Sequence, residues 1–328
     1  MIPQIPHTRR LYERRLASPA VEIRGKRFVV TGGSGFVGSY VVETLLQRGA
    51  GEIVVFDRAM RSENLGRAAG VRVVEGDITD PAAVRAAVDG ADGVFHMAVL
   101  PLRPSVEHPR LAHAVNVGGS LNVFEAARDT RVQKVVYSSA SSVYGDTDAT
   151  MDETHPLNTR TMYGATKLAA ELYLRAFSDA YDLPYITLRY MNVYGPRQQG
   201  GLVTAVTRRF LAGEPPTVEG DGSQSFDFVH VRDVAEATVH AMASDASDET
   251  FNVGSGGEAT VKEIVEKLKA ITGATVEPAY DTSVRVLVMR RVGSNDRAKE
   301  RLGWEVRIPL DEGLEETVEW IRAQPRAA

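Results

Sequence analysis

Short apolar runs alternate with amphipathic stretches from the start of the chain as far as Tyr194. The first run, Arg27 to Thr31, is flanked by glycines and is typical of a buried parallel strand. Strands that alternate with helices predict a doubly wound parallel α/β sheet. The predicted strands are 27–31, 52–57, 71–74, 93–96, 134–138 and 184–190, and the clearest predicted helices are 36–48, 111–128 and 162–181.

The alternation stops after Tyr194, where glycine and proline become frequent and short elements follow one another irregularly. This change predicts a smaller mixed α/β lobe that forms the wall of a substrate site. We therefore expect an N-terminal extension at 1–24, a cofactor domain at 25–194 and a substrate lobe at 195–328, with some segments of the lobe returning to the first domain.

Composition excludes several classes of function. The 328 residues carry a net charge of −5 without a basic block, which argues against a nucleic-acid partner. The absence of cysteine excludes thiolate metal sites and cysteine nucleophiles, and we predict no metal site. No apolar run reaches the length of about 18 residues that a membrane span needs, and the N-terminus has no apolar segment of a signal peptide. We expect a cytoplasmic protein.

A glycine-rich turn follows the first strand and opens the first helix. Gly32, Gly35 and Gly38 form GxxGxxG, in which small residues let the backbone and the helix N-terminus approach a pyrophosphate. Asp57 ends the second strand, nineteen residues after Gly38, where a carboxylate can accept hydrogen bonds from ribose hydroxyls. Arg58 could instead bind the 2′-phosphate of NADP. The pattern predicts a Rossmann-like dinucleotide site and favours NAD over NADP.

The candidate reacting group is Tyr163, which stands four residues before Lys167 in a predicted helix. Residues at this spacing share one helix face. An ammonium group beside a phenol favours the phenolate, so we expect Lys167 to lower the pKa of Tyr163. The phenolate could then take a proton from a sugar hydroxyl.

Further recognisable segments extend through nearly the whole chain. In chain order they are TGGSGFVG (31–38), Asp57, GDI (76–78), HMA (96–98), Asn116, SSASSVYG (138–145), YGATK (163–167), LRYMNVYGP (188–196), GDGSQSFDFVHVRDV (220–234) and LGW (302–304). On these segments the chain resembles the extended short-chain dehydrogenase/reductase family, in its nucleotide-sugar epimerase and dehydratase branch.

The resemblance implies that NAD stays bound and that relatives pair into homodimers through two long helices, here near 111–128 and 162–181. It implies a UDP-sugar substrate whose C4 loses a hydride and regains it. It places Tyr190 near the nicotinamide and Asn192 near the substrate pyrophosphate. The residues expected to contact the cofactor are Gly32, Gly35, Phe36, Val37, Gly38, Asp57, Arg58, Asp77, Ile78, Met97, Ala98, Asn116, Ser139, Tyr163, Lys167 and Tyr190.

The serine cluster distinguishes between the reactions that this family performs. Dehydratases of the family place Asp-Glu where Ser141 and Ser142 stand, and decarboxylating relatives carry Glu at the position of Ser142. Serine cannot act as a carboxyl acid. The cluster therefore favours a 4-epimerase. Ser141 and Ser142 could also hold the carboxylate of UDP-glucuronate and suppress its loss as carbon dioxide, or they could only cap the strand.

Two positions depart from the family pattern. Ala140 stands where the family's third catalytic hydroxyl is expected. Either Ser139 or Ser141 replaces it, or Tyr163 works with Lys167 alone, and we favour Ser141. Phe226 stands where relatives often have an arginine that contacts the nucleotide. Another cation must then meet the substrate pyrophosphate, with Arg285 as the first candidate and Arg197, Arg290 and Arg291 behind it.

Three other functions stay open from the sequence. The first is a UDP-glucuronate decarboxylase or a nucleotide-sugar 4,6-dehydratase that works without the usual acid. The second is a nucleotide-sugar oxidoreductase that consumes its cofactor. The third is a non-catalytic NAD sensor, against which the intact Tyr163 and Lys167 pair argues.

Overall fold

The architecture was analysed in a computed structural model that describes residues 20–65, 69–284, 286 and 288–324. Most of the predicted N-terminal extension and the candidate Arg285 lie outside these residues. Of the described residues, none belongs to a helix long and apolar enough to cross a membrane.

A seven-stranded parallel sheet forms the centre of the molecule, in the order β11-β6-β5-β4-β1-β2-β3. The predicted doubly wound α/β fold is therefore confirmed. The strands are β1 (Arg27–Thr31), β2 (Glu52–Asp57), β3 (Val71–Glu75), β4 (Gly93–His96), β5 (Lys134–Ala140), β6 (Tyr185–Tyr190), β7 (Asn192–Tyr194), β8 (Thr217–Glu219), β9 (Ser225–Phe226), β10 (Phe228–His230), β11 (Glu249–Val253), β12 (Ala259–Thr260), β13 (Ala279–Asp281) and β14 (Arg290–Arg291).

Helices cover both faces of this sheet, as its buried strands require. They are α1 (Phe36–Gln47), α2 (Ser62–Leu65), α3 (Pro81–Val88), α4 (Leu102–Glu107), α5 (Pro109–His113), α6 (Ser120–Thr130), α7 (Met162–Tyr181), α8 (Leu202–Leu211), α9 (Val231–Ala243), α10 (Val261–Thr272), α11 (Asp296–Leu302) and α12 (Leu310–Ala323).

Successive residues of β1 divide between the two faces of the sheet. Phe28 and Val30 join one apolar core with α1 and α9, whereas Val29 joins a second core with α3, α6 and α7. This alternation follows from the two-residue period of a strand. It explains why both faces of the run RFVVT are apolar.

The predicted helix at 111–128 is not one regular α-helix. Ala114–Gly119 forms a π-helical segment between α5 and α6. Such segments interrupt α-helices mostly at functional sites. Here the segment contains Asn116, whose side chain reaches the loop after β4.

The C-terminal third contributes to both regions of the molecule. Strand β11 completes the central sheet beside β6, and α9 packs in the core against α1. Residues of α8, α10 and α12 form a separate apolar core, whereas α11 packs in the first core with α9. This lobe lies beyond the carboxyl end of β6, because β7 pairs with β10 of the lobe.

Candidate active site

The glycine turn is packed too tightly for larger residues. A Cβ atom on Gly38 would lie 2.2 Å from the Gly32 carbonyl oxygen, and one on Gly32 would lie 2.8 Å from the Ala98 Cα. Gly32 also has a φ of 68°, which favours glycine. The turn presents the N-terminus of α1 at the carboxyl edge of the sheet, which fits a dinucleotide pyrophosphate.

Asp57 lies beside this turn, as a ribose-binding carboxylate should. Its Oδ2 atom accepts hydrogen bonds from the Ser34 backbone N–H at 3.1 Å and from the Ser34 hydroxyl at 2.7 Å. The Arg58 side chain is 64% exposed and lies 4.0 Å from Asp77. Ser34, which the sequence analysis did not single out, thus joins the turn to the predicted ribose site.

A buried hydrogen-bonded chain, here called the His96 network, consists of Thr31, His96, Ser120 and Asn116. The Ser120 hydroxyl donates to the Asn116 carbonyl at 2.6 Å, so it accepts from His96 Nε2 at 2.9 Å. His96 Nδ1 then accepts from Thr31, 2.7 Å away, while Thr31 accepts from the Ala98 backbone N–H. All protons point one way, and burial lowers the pKa of His96 to about 3.

The Asn116 side chain fixes the loop that follows β4. Its Oδ1 atom accepts from the Leu100 N–H at 2.7 Å, and its Nδ2 donates to the Leu100 carbonyl and to the Thr166 hydroxyl. Asn116 is 2% exposed. It therefore acts by positioning the predicted cofactor residues Met97 and Ala98 relative to α7.

Tyr163 and Lys167 occupy the first turns of α7. The Tyr163 hydroxyl and the Lys167 amine make no hydrogen bond to any described residue. The Lys167 Nζ lies over the Tyr137 ring, 4.5 Å from its centroid. Both groups are thus held beside the central sheet with their polar atoms unpaired.

The protonation of this pair differs from the sequence expectation. Burial raises the pKa of Tyr163 to about 12, and Lys167 does not offset it. Burial also lowers the pKa of Lys167 to about 7, while the carboxylate of Glu171 raises it. The predicted lowering of the Tyr163 pKa by Lys167 is therefore absent in the protein alone.

Three of the four serine hydroxyls in SSASSVYG are bonded to the protein or enclosed by it. Ser138 donates to the His96 carbonyl at 3.1 Å, and Ser139 donates to Glu171. The Ser142 hydroxyl is enclosed without a partner among the described residues. The predicted ligand contacts of Ser139 and Ser142 are therefore not supported by these positions.

Ser141 differs from the other three serines. Its hydroxyl makes no hydrogen bond within the described part of the chain, and it is not sealed from solvent as that of Ser142 is. Gly164 lets the serine turn pack closely against α7, because a Cβ at this position would lie 2.7 Å from the Ser142 carbonyl oxygen. The short 3₁₀ turn Ser141–Val143 can thus press against the start of α7.

A second buried group, here called the Glu171 network, consists of Ser139, Glu171, Arg189, Tyr144 and Asn252. Arg189 donates to both carboxylate oxygens of Glu171 at 2.7 to 3.2 Å. Arg189 also donates to the Tyr144 hydroxyl at 2.9 Å, which donates to Asn252 at 2.7 Å. The sequence analysis missed Glu171, although its spacing of four residues from Lys167 was a visible signal.

Different surroundings are found for the predicted cofactor residue Tyr190 and for the predicted substrate residues Asn192 and Arg197. Tyr190 is buried, and its hydroxyl lies 2.7 Å from that of Thr238 on α9. The Asn192 backbone donates to Asp227 in the lobe at 2.9 Å. Arg197 is directed to α1, where it pairs with Glu43 at 2.5 Å and lies over a tyrosine ring, so its contacts do not support a role at the substrate.

This fold and site define a dinucleotide-dependent enzyme with a tyrosine-lysine pair, and comparison with known sequences gives its family. Residues 28–254 match the NAD dependent epimerase/dehydratase family, and the chain belongs to it. The predicted family, enzyme class and NAD dependence are thereby confirmed.

Three similar proteins illustrate the range of relatives. A UDP-glucose 4-epimerase from Mycolicibacterium smegmatis is 36% identical over 308 residues, covering 90% of this chain and 98% of the relative. The structure of a UDP-glucose 4-epimerase from Thermotoga maritima with UDP-glucose has a TM-score of 0.85 at 35% identity, covering 90% and 98%. The structure of MoeE5 with UDP-glucuronic acid and NAD has a TM-score of 0.84 at 33% identity, covering 90% and 99%.

Proposed function

We propose that this protein is a UDP-sugar 4-epimerase with tightly bound NAD, and that its substrate is UDP-glucuronate, which it converts to UDP-galacturonate. The observation that carries the reaction type is the unpaired Tyr163 and Lys167 of α7 beside the serine turn Ser141–Val143, which contains no carboxylate. Glu171 offers no general acid, because both its oxygens accept from Arg189. A dehydratase or decarboxylase that needs a carboxyl acid at this turn is therefore disfavoured.

The chemistry divides between the cofactor and the chain. Bound NAD would supply the hydride transfer, by which the hydride of sugar C4 is removed and returned to the other face of the C4 carbonyl. Tyr163 takes the proton of the C4 hydroxyl and later gives it back, while the Ser141 hydroxyl donates to the same oxygen. A protonated Lys167 favours the tyrosinate, and Glu171 helps to keep Lys167 protonated by raising its pKa. The glycine turn and Asp57 hold the pyrophosphate and the ribose of the cofactor.

Two observations support a uronate as the substrate. The serine turn Ser141–Val143 carries no carboxylate, so a negatively charged C6 group would meet no like charge there. A similar protein, MoeE5, is recorded in complexes with UDP-glucuronic acid and with UDP-glucose. UDP-glucose therefore remains the alternative substrate.

We test this by incubating the purified protein with UDP-glucuronate and, separately, with UDP-glucose, and by resolving the products by NMR. Conversion to UDP-galacturonate without a pentose supports the proposal. Release of UDP-xylose identifies a decarboxylase, and turnover of UDP-glucose alone leaves the epimerase but rejects the uronate. Stoichiometric formation of NADH identifies an oxidoreductase. Y163F is the matched control and should lose activity by a factor of about 10² to 10⁴.

We also propose that the protein forms a homodimer through α4, α5 and α7. Large apolar side chains are exposed on these helices, which is typical of a protein interface. Sedimentation equilibrium tests this, and L172E should yield monomers if the surface is the interface. The side chains are Leu102, Val106, Leu111, Met162, Leu172 and Tyr173, each at least 40% exposed.

A further inference from the structure

Two neighbouring arginines in the lobe have opposite environments. Strand β14 pairs in parallel with β9, so that Arg290 lies beside Ser225 and Arg291 lies beside Phe226. Successive side chains of a strand point to opposite faces. Arg290 and Arg291 therefore face different surroundings although they share one short strand.

Arg290 is fully committed within the protein. Its guanidinium donates to both carboxylate oxygens of Glu258, at 2.9 and 2.8 Å, and to the Asp148 carbonyl at 2.8 Å. Hydrogen bonding to Glu258 raises the pKa of Arg290. Each of the three side-chain nitrogens of Arg290 already donates to a protein oxygen, so nothing about this arginine suggests a ligand.

Arg291 has no such partner. Its side chain makes no hydrogen bond or ion pair to the residues that the structure describes, and its Nε atom is enclosed. Burial lowers the pKa of Arg291 to about 10, and Asp146 is the carboxylate that opposes this shift. The Asp146 Oδ1 atom already accepts from the backbone N–H groups of Met289 and Arg290. A half-buried cation without an ion-pair partner is costly, which indicates an anion from outside the chain.

The backbone places Arg291 at the boundary between the active site and the lobe. The Asp227 N–H donates to the Arg291 carbonyl at 3.1 Å, and the Asp227 carbonyl accepts from the Asn192 N–H at 2.9 Å. Asn192 follows the carboxyl end of β6 by two residues. Arg291 is thus linked through one residue to the segment that leaves the sheet beside Tyr190.

We propose that Arg291 binds the diphosphate of the nucleotide-sugar substrate. Phe226 gives β9 no cation at this point, and Arg291 supplies a positive charge from the paired strand, about 5 Å away. The substrate class rests on the proposed function, but the contact is with the diphosphate and does not depend on the sugar. A guanidinium suits this role because it offers several donors in one plane.

The test is calorimetric titration of the NAD-loaded protein with UDP and with uridine. R291Q should weaken UDP binding about 10- to 100-fold, the range for loss of hydrogen bonds to a charged group, and should leave uridine binding unchanged. R291K should retain part of the affinity, which separates lost charge from misfolding. R290Q is the matched control and should bind UDP like the wild type. F226R/R291Q, which returns the cation to β9, should recover UDP affinity.

The outcomes separate this proposal from the function. If the wild type binds UDP and R291Q binds it equally well, Arg291 is not the diphosphate ligand and the epimerase proposal stands. If the wild type fails to bind UDP at all, the substrate class is wrong and the role of Arg291 falls with it. Equal losses of UDP and uridine affinity in R291Q would overturn the proposal as well, because the effect would not depend on the phosphates.

Discussion

The two buried polar networks at the carboxyl edge of the sheet secure the site in different ways. The His96 network is neutral and uses hydroxyl, imidazole and amide groups whose protons all point in one direction. The Glu171 network contains an ion pair whose two side chains are 6% and 7% exposed. The neutral network supports the loop at the predicted cofactor side, whereas the charged one supports α7 and the serine turn.

This difference matters for how each network can fail. A buried ion pair that loses one partner leaves an uncompensated charge, so its breakage is abrupt. A neutral network instead fails when acid charges its imidazole. The two networks should therefore be separable by substitution and by pH.

The largest expected effect comes from breaking the Glu171 network. R189M should lower the free energy of unfolding by about 3 to 5 kcal/mol, because Glu171 would stay buried without its counter-charge. Urea denaturation measures this change. The double variant E171Q/R189M should recover much of the loss, and a double variant as unstable as R189M would show that lost packing, not charge, is responsible.

The second prediction concerns the pH dependence of the His96 network. The folded pKa of His96 is about 3 and its ordinary value is 6.5, so the unfolded chain binds the extra proton in this interval. Stability should therefore fall as the pH falls through it, by about 2 kcal/mol between about pH 7 and about pH 5.

Urea titrations of the wild type and H96N at both pH values give the free energy of unfolding of each protein. The contribution of His96 is the difference between the two proteins in how much this free energy changes with pH. Two other groups titrate in a similar pH range and are present in both proteins. They are His230, whose pKa is lowered to about 4, and Asp227, whose pKa is raised to about 6. Equal slopes in the two proteins would remove His96 as the acid-sensitive group.

A smaller effect is expected from the end of the His96 network. N116A should cost about 1 to 3 kcal/mol, because the Leu100 N–H loses its acceptor in a partly buried loop. N116D keeps that acceptor but loses the donors to Leu100 and Thr166 and places a buried carboxylate against the Leu100 carbonyl, so it should be destabilised at least as much. Thermal unfolding measures both, and the NAD content of the purified variants shows whether the loop position matters for cofactor retention.

The smallest changes in stability should come from substituting the serines, and these changes should differ from one serine to the next. S142A should change stability by less than about 0.5 kcal/mol, since its hydroxyl has no partner to lose. S139A should cost about 1 kcal/mol through its bond to Glu171. S141A should leave stability unchanged and lower the epimerase rate, and activity in S141A equal to that of the wild type would remove Ser141 from the site.

Much of the predicted dinucleotide site could be predicted from local sequence. The glycine turn, Asp57 and the strands before them depend on short-range rules of backbone conformation and hydrophobic period. Tyr163 and Lys167 were visible for the same reason, because their spacing of four residues fixes a shared helix face. The doubly wound fold class and the family followed from these segments, whereas the order of the strands was not predicted.

The serine cluster shows the limit of such reasoning. Four hydroxyls within five positions look equivalent in the sequence, yet only tertiary contacts direct Ser138 to β4, Ser139 to Glu171 and Ser142 into the interior. The raised pKa of Tyr163 was also beyond reach, because burial causes it and burial depends on the tertiary structure.

The sequence by itself therefore determined the doubly wound fold, the NAD-binding turn and the tyrosine-lysine pair, since each is encoded within a few consecutive residues. The tertiary structure alone decided which serine faces the site, which arginine lacks a partner and how Glu171 and Arg189 meet. Glu171 and Arg189 are 18 residues apart, and Arg291 stands beside a strand 65 residues earlier in the chain. Such contacts depend on packing between distant segments, for which a single sequence carries no local signal.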